Sequence, residues 1–208
     1  REMHLVLSCA PESVTQLAQE GLPAIQLHQA FDSALVRFLI KKEKLYSLCF
    51  IGQIVRKDDY HRTREALLKK ISSELEIAIF SPTYYMGMRE ILMTPLLQLL
   101  FFTLIAVKRV PGFLSLLHRH ERFRKILELR HLPRLPFDLR FKKKLFPPAF
   151  GVEMLQRLAE SRVVLNIHAD SSPLYASNMR LFETTGVGTC LLTEHKENIS
   201  ELFDPETE

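Results

Sequence analysis

The sequence predicts an α/β protein built on a parallel sheet. Short apolar runs that end on glycine or polar residues alternate with segments of helical period, strand then helix then strand, more than once along the chain. The connections are long enough to hold a helix, as right-handed crossovers between parallel strands require. The stretch from Ser161 to Glu194 repeats the pattern with its polar residues gathered in the loop and the first helical turns. An α/β sheet presents a ligand at the carboxyl ends of its strands in this way.

The elements follow in order. H-L-V-L-S-C predicts a short strand over Leu5–Cys9. Pro11 opens a helix, since its fixed φ suits the first turn, with Val14, Leu17 and Ala18 on one face and Gly21 as the stop. L-P-A-I-Q-L-H-Q-A-F-D is a second strand leading outward. Residues 1–40 are thus expected to be the end of one Rossmann-like domain and its linker, with the boundary between Asp32 and Lys44. A second unit begins at L-Y-S-L-C-F-I-G, a buried strand that ends at Gly52. A charged loop and helix over Asp58–Ser73 and the strand L-E-I-A-I-F-S-P complete its βαβ unit. F-G-V-E-M-L-Q-R-L-A-E-S is a helix with Val152, Leu155, Leu158 and Ala159 on one face. R-V-V-L-N-I-H and T-C-L-L-T are the closing strands. Residues 41–208 are expected to form this second domain, interrupted by an insertion at about 84–149 whose proline-rich end, 131–149, is an irregular connection.

Composition narrows the class. The chain has 208 residues, 47% hydrophobic and 25% charged, which fits a globular protein rather than a disordered one. The three cysteines, Cys9, Cys49 and Cys190, lie far apart in apolar runs. They are expected to be small buried hydrophobes in a reducing cytoplasm. Neither a disulfide framework nor a metal site is expected. The chain opens abruptly on a strand at Arg1, so the reading is of a piece of a longer protein.

The middle of the chain is unusual. I-L-M-T-P-L-L-Q-L-L-F-F-T-L-I-A-V is interrupted only by Thr94, Pro95, Gln98 and Thr103, and basic residues crowd His118–Lys144. It lies near the lower length limit for a spanning helix. Packing in the core or between domains is the leading expectation, and peripheral membrane contact through 91–144, at the inner face of a membrane, is the alternative. The basic run is otherwise a solvated face, and no nucleic-acid partner is expected.

The chemistry concentrates in Tyr175–Gly188. A helix starting near Ala176 would put Asn178 in its first turn and Arg180 and Glu183 on one face. A cation and an amide at a helix start suit a diphosphate, and a carboxylate one turn deeper suits vicinal ribose hydroxyls. The same two side chains could equally pair with each other. Gly186 and Gly188 would let the chain reverse into the last strand. His168 and Asp170, at the end of the preceding strand, would face the same cleft, while Asn166 would satisfy backbone groups.

The combination N-x-R-x-F-E-x-x-G-x-G, with Phe150–His168 before it and C-L-L-T-E-H-K-E-N-I-S-E-L-F after it, resembles the C-terminal domain of GT-B glycosyltransferases, and more narrowly the CgeB-like group. Leu45–Pro82 resembles the first βαβ unit of that domain more loosely. The resemblance implies two Rossmann-like domains with a cleft between them and a nucleotide-sugar donor against the C-terminal one. It implies no cofactor beyond that donor and no metal. It gives Glu183 the ribose, Asn178 and Arg180 the diphosphate, His168 a donor contact, and Gly52 and Gly186 the close approach of backbone to donor. Many retaining relatives carry a second glutamate where this chain has Tyr175, so retention or inversion stays open. The acceptor, whether glycan, lipid or protein, and the catalytic residues are left unassigned. A non-catalytic binding or assembly module of the same fold is the alternative.

Overall fold

A computed structural model describes residues 4–40, 43–54, 61–86, 88–107, 135, 138–170 and 173–204. Two parallel sheets organise them. The first is small: β1 (Val6–Ser8) and β2 (Ala24–Gln26) pair in parallel across helix α1 (Pro11–Gln19). Pro11 stands in the first turn of α1, and Gly21 takes a positive φ of 79° just beyond it, as expected. A 3-10 turn, Ser33–Phe38, leads into the second unit; Asp32 caps it by accepting from the Ala34 N–H.

The second sheet holds five parallel strands: β3 (Tyr46–Ile51), β4 (Ala78–Phe80), β5 (Leu145–Phe146), β6 (Ser161–Asn166) and β7 (Cys190–Thr193). Their spatial order is β5-β4-β3-β6-β7. In chain order this is third, second, first, fourth, fifth, the doubly wound arrangement, in which the direction of winding switches between β3 and β6. The α/β class and the parallel sheet are therefore as the sequence predicts.

The strands are nearly continuous apolar runs because helices cover both faces. On one face Leu48, Phe50, Ile79 and Leu165 pack with Leu68 of helix α2 (Arg62–Glu74) and with Phe141. On the other, Cys49, Ile51, Phe80 and Val164 pack with Leu155 and Leu158 of helix α4 (Gly151–Ala159). Phe31, Leu35 and Leu39 from the linker press on this second face, so the linker joins the core. Between β4 and β5 runs the long helix α3 (Met88–Val107). Helices α5 (Arg180–Gly186) and α6 (Ile199–Leu202) share a small cluster through Leu181, Ile199, Leu191 and Phe203.

Four expectations change. The 84–149 stretch is not all insertion, since Leu145–Phe146 forms β5 and pairs with Ile79 and Phe80. Two residues between a lysine run and two prolines give no periodic signal, so only pairing reveals the strand. Core packing does not hold for α3: Leu92, Leu96, Leu99 and Phe102 are exposed. Of the cysteines only Cys49 is buried; Cys190 is exposed because β7 is an edge strand. The fourth change concerns α5. The basic run 118–134 and the residues around Asp58 lie outside the described residues. Among the described residues no helix is long and apolar enough to cross a membrane.

Candidate functional site

The winding switches between β3 and β6, and it is in the crevice outside the carboxyl ends of such a strand pair that open α/β sheets bind ligands. Gly52 follows β3 there. Its N–H donates to the Phe80 carbonyl, and a Cβ at this position would lie 2.9 Å from the Phe50 ring. Across the crevice, β6 runs out into Ile167, His168 and Asp170.

Arg64, in the first turn of α2, ties the two sides together. Its Nε and Nη2 donate to the Ile167 carbonyl at 3.2 and 2.7 Å, and its Nη1 donates to the Gln53 carbonyl at 2.9 Å. The guanidinium also lies 5.8 Å from the Phe50 ring centroid. Burial lowers its pKa, and Asp170 and Glu194 oppose that shift. Asp170 Oδ2 accepts from the Thr63 N–H, so a carboxylate occupies the start of α2. Burial raises the Asp170 pKa, but the bonds from Thr63 and the Arg62 N–H, with the nearby His61, together hold the carboxyl below its ordinary value.

His168 is 3% exposed. Its backbone N–H donates to Glu194 Oε1 at 2.6 Å, and its Nδ1 stands 3.1 Å from the same oxygen. Burial lowers its pKa; Glu194 works against this and Lys196 with it. With a carboxylate oxygen as its partner, Nδ1 is the nitrogen that donates its N–H to Glu194, while Nε2 is buried without a partner. Lys196 donates to the Pro173 carbonyl at 2.8 Å and lies 3.6 Å from Glu194 Oε2.

One step along the same strand ends, Asn166 and Thr193 are register partners. Asn166 Nδ2 donates to Thr193 Oγ1 at 3.0 Å, and Asn178 Nδ2 donates to Asn166 Oδ1 at 2.8 Å. Asn166 thus serves side chains, not backbone groups. Asn178 Oδ1 is buried and unpartnered. Buried polar atoms are paired in most proteins, so two orphans in one strand-end cluster mark it as unusual.

The fourth change is the start of α5, at Arg180 rather than near Ala176. The Asn198 side chain explains it. Its Oδ1 accepts from the Ala176 N–H at 2.7 Å and its Nδ2 donates to the Ala176 carbonyl at 3.0 Å. That paired grip holds Ala176 outside the helix and occupies the carbonyl that a helix starting there would use for its first bond. Asn178 consequently lies in the loop before α5, where it reaches β6.

Arg180 and Glu183 pair with each other, Nη1 to Oε2 at 2.8 Å, with only 19% and 15% of their side chains exposed. Arg180 also meets Met154 of α4. Burial lowers the Arg180 pKa and Glu183 counters it. The turn expected of both glycines belongs to Gly188, with φ +73°; Gly186 closes α5 without a positive φ. What Gly186 provides is space: a Cβ there would sit 2.2 Å from the Phe31 ring. Tyr175 is half-buried in the loop before Ala176.

The small N-terminal sheet reaches the same loop, where Cys9 Sγ lies 3.7 Å from the Ser177 carbonyl. A groove of about 1140 Å³ follows the outer edge of β7 between Phe31 and Phe203. Of the expected donor residues it touches only Gly186, and it meets the strand-end cluster at Thr193 and Glu194.

The structure brings Gly52 and His168 to the crevice and links Asn178 to it through Asn166. Arg180 and Glu183 stand one turn away, closed on each other. Sequence reasoning missed Arg64, Glu194 and Thr193. All three directly follow or end a strand, or open the helix after one, which is where the strand-end rule points.

Residues 119–208 match a glycosyl transferase-like family model. The match spans the whole of β5, α4, β6, α5 and β7, and with them the N-x-R-x-F-E-x-x-G-x-G motif. No curated protein matches the chain. The matched residues include His168, Asn178, Arg180, Glu183 and Gly186, while Gly52 and Arg64 lie before them. A parallel five-stranded sheet in this winding order is consistent with a Rossmann-like domain of GT-B type. The match supports a glycosyl transfer role.

Proposed function

We propose that the strand-end crevice binds a nucleotide-sugar donor and that the protein transfers the sugar to an acceptor, within the CgeB-like group. The observation that carries this reading is the meeting of the family match with a polar strand-end cluster at the switch point, where His168 Nε2 and Asn178 Oδ1 are left unpartnered. In this reading Asn178 and Arg180 face the diphosphate and Glu183 holds the ribose. His168 makes a further donor contact, and Gly52 and Gly186 let the backbone approach. Arg180 would then stabilise charge as it develops on the leaving diphosphate, without a metal. Glu183 engages Arg180 through one carboxylate oxygen, so donor binding must share or open that pair. The acceptor is a glycan, lipid or protein, and nucleic acid is not among the proposed partners. The cytoplasm is the proposed compartment, in keeping with three free thiols.

Calorimetric titration with UDP-, GDP-, ADP- and CMP-sugars tests the donor site. One nucleotide should bind, and Glu183→Ala should weaken it about tenfold or more, the scale of a lost charge-assisted hydrogen bond. Absence of binding to all four, or equal binding by the variant, would refute the assignment.

Tyr175, where retaining relatives have glutamate, favours a second reading: a donor-binding module that does not transfer. Sugar transfer or donor hydrolysis by the protein decides against it.

A further inference from the structure

Helix α3 poses a physical problem that the donor site does not address. From Ile91 to Val107 it carries no charged residue. A helix apolar all round is normally buried in a core or in lipid. Yet Leu92 is 66% exposed and Leu99 65%, and Met93, Leu96, Phe102 and Ile105 are exposed with them. One of its polar interruptions is satisfied within the helix, since the Thr103 hydroxyl donates to the Leu99 carbonyl at 2.8 Å. Thr94 and Gln98 are also engaged. Exposed apolar area on this scale marks an interaction surface.

Charge selects the partner. Residues 108–144 carry twelve Lys and Arg against three Asp and Glu. The whole chain carries 28 against 24, so the remainder has sixteen basic against twenty-one acidic. The protein's entire positive excess therefore follows α3 directly in sequence. Arg140, Lys142 and Lys143 are exposed within it. An exposed apolar helix followed in sequence by a basic run matches a lipid surface with anionic headgroups. Length excludes a comfortable span: the uncharged stretch rises about 25 Å at about 1.5 Å per residue, short of a hydrocarbon core of about 30 Å.

We propose that α3 is a docking helix that inserts partway into an anionic bilayer surface, with Arg140, Lys142 and Lys143 on the headgroups. The proposal stands independently of the donor assignment.

The absence of tryptophan provides the reporter. Leu99→Trp in the full chain places a single indole on the exposed side of α3. With 7:3 phosphatidylcholine:phosphatidylglycerol vesicles its emission should shift to the blue and be quenched most strongly by lipids brominated near the headgroup. Phosphatidylcholine vesicles alone should give little change. In co-sedimentation, Leu99→Asp with Phe102→Asp should abolish binding, and Lys142→Glu with Lys143→Glu should weaken it about tenfold or more, at roughly 1 kcal/mol per basic residue near such a surface. Circular dichroism and thermal unfolding of each variant separate loss of docking from loss of the fold. Several results would overturn the proposal: no binding to anionic vesicles, equal binding to neutral ones, or quenching strongest at the bilayer centre. A blue-shifted indole without lipid, in a dimer by light scattering, would overturn it too, by assigning the helix to a second copy of the chain.

Discussion

Glu194 holds His168 twice, accepting from its backbone N–H at 2.6 Å and standing 3.1 Å from Nδ1, so the ends of β6 and β7 are joined through a single carboxylate oxygen. Burial lowers the imidazole pKa from its ordinary 6.5, against the pull of Glu194. A lowered folded-state pKa means that the unfolded chain binds the proton first. The contribution to stability is therefore present above about pH 6.5 and is lost as pH falls through the lowered value. Each unit of difference is worth about 1.4 kcal/mol. Thermal unfolding between pH 7.5 and 5 should show the wild type losing more stability than His168→Gln, and the imidazole resonance of His168 should titrate below 6.5. Identical pH slopes would remove His168 from the account.

Arg64 is expected to be the costliest polar side chain to remove at the switch point. Arg64→Ala strands the Ile167 and Gln53 carbonyls and should lower unfolding free energy by about 2–3 kcal/mol in urea. Arg64→Lys should recover less than half, because an ammonium cannot reproduce a planar fork that reaches two carbonyls. Full recovery by lysine would mean that charge alone matters there.

Gly186 and Gly188 should respond differently to the same change. Gly186→Ala collides with the Phe31 ring and is expected to cost about 1–3 kcal/mol, an overpacking penalty that Phe31→Ala in the same chain should partly relieve. Gly188→Ala meets open space but forces a positive φ on an alanine, costing about 1 kcal/mol. Phe31→Ala should leave that second penalty untouched. A double-mutant cycle by chemical denaturation checks both.

Much of the fold was legible locally. The helical period over Gly151–Ala159 placed Leu155 and Leu158 on the buried face, and Pro11 and Gly21 bracketed α1 where capping chemistry puts them. These are features that a residue and its near neighbours decide. The candidate site was legible in composition but not in geometry. Asn178, Arg180 and Glu183 are the right kinds of side chain, yet Asn178 reaches β6 and Arg180 closes on Glu183. The start of α5 depends on Asn198, twenty-two positions from Ala176, which no local pattern reports.

The sequence by itself determined the α/β class, the alternation of strands and helices, the motif that resembles a glycosyltransferase, and the segregation of positive charge after α3. Tertiary structure alone decided that Leu145–Phe146 is a strand, that β7 is an edge and so exposes Cys190, that α3 leaves Leu92, Leu96, Leu99 and Phe102 exposed, and that Arg64 and Glu194 bind the strand ends together. The division has one physical cause. Periodicity and capping act over a few residues, whereas pairing, burial and buried hydrogen bonds join residues that only the folded chain brings within reach.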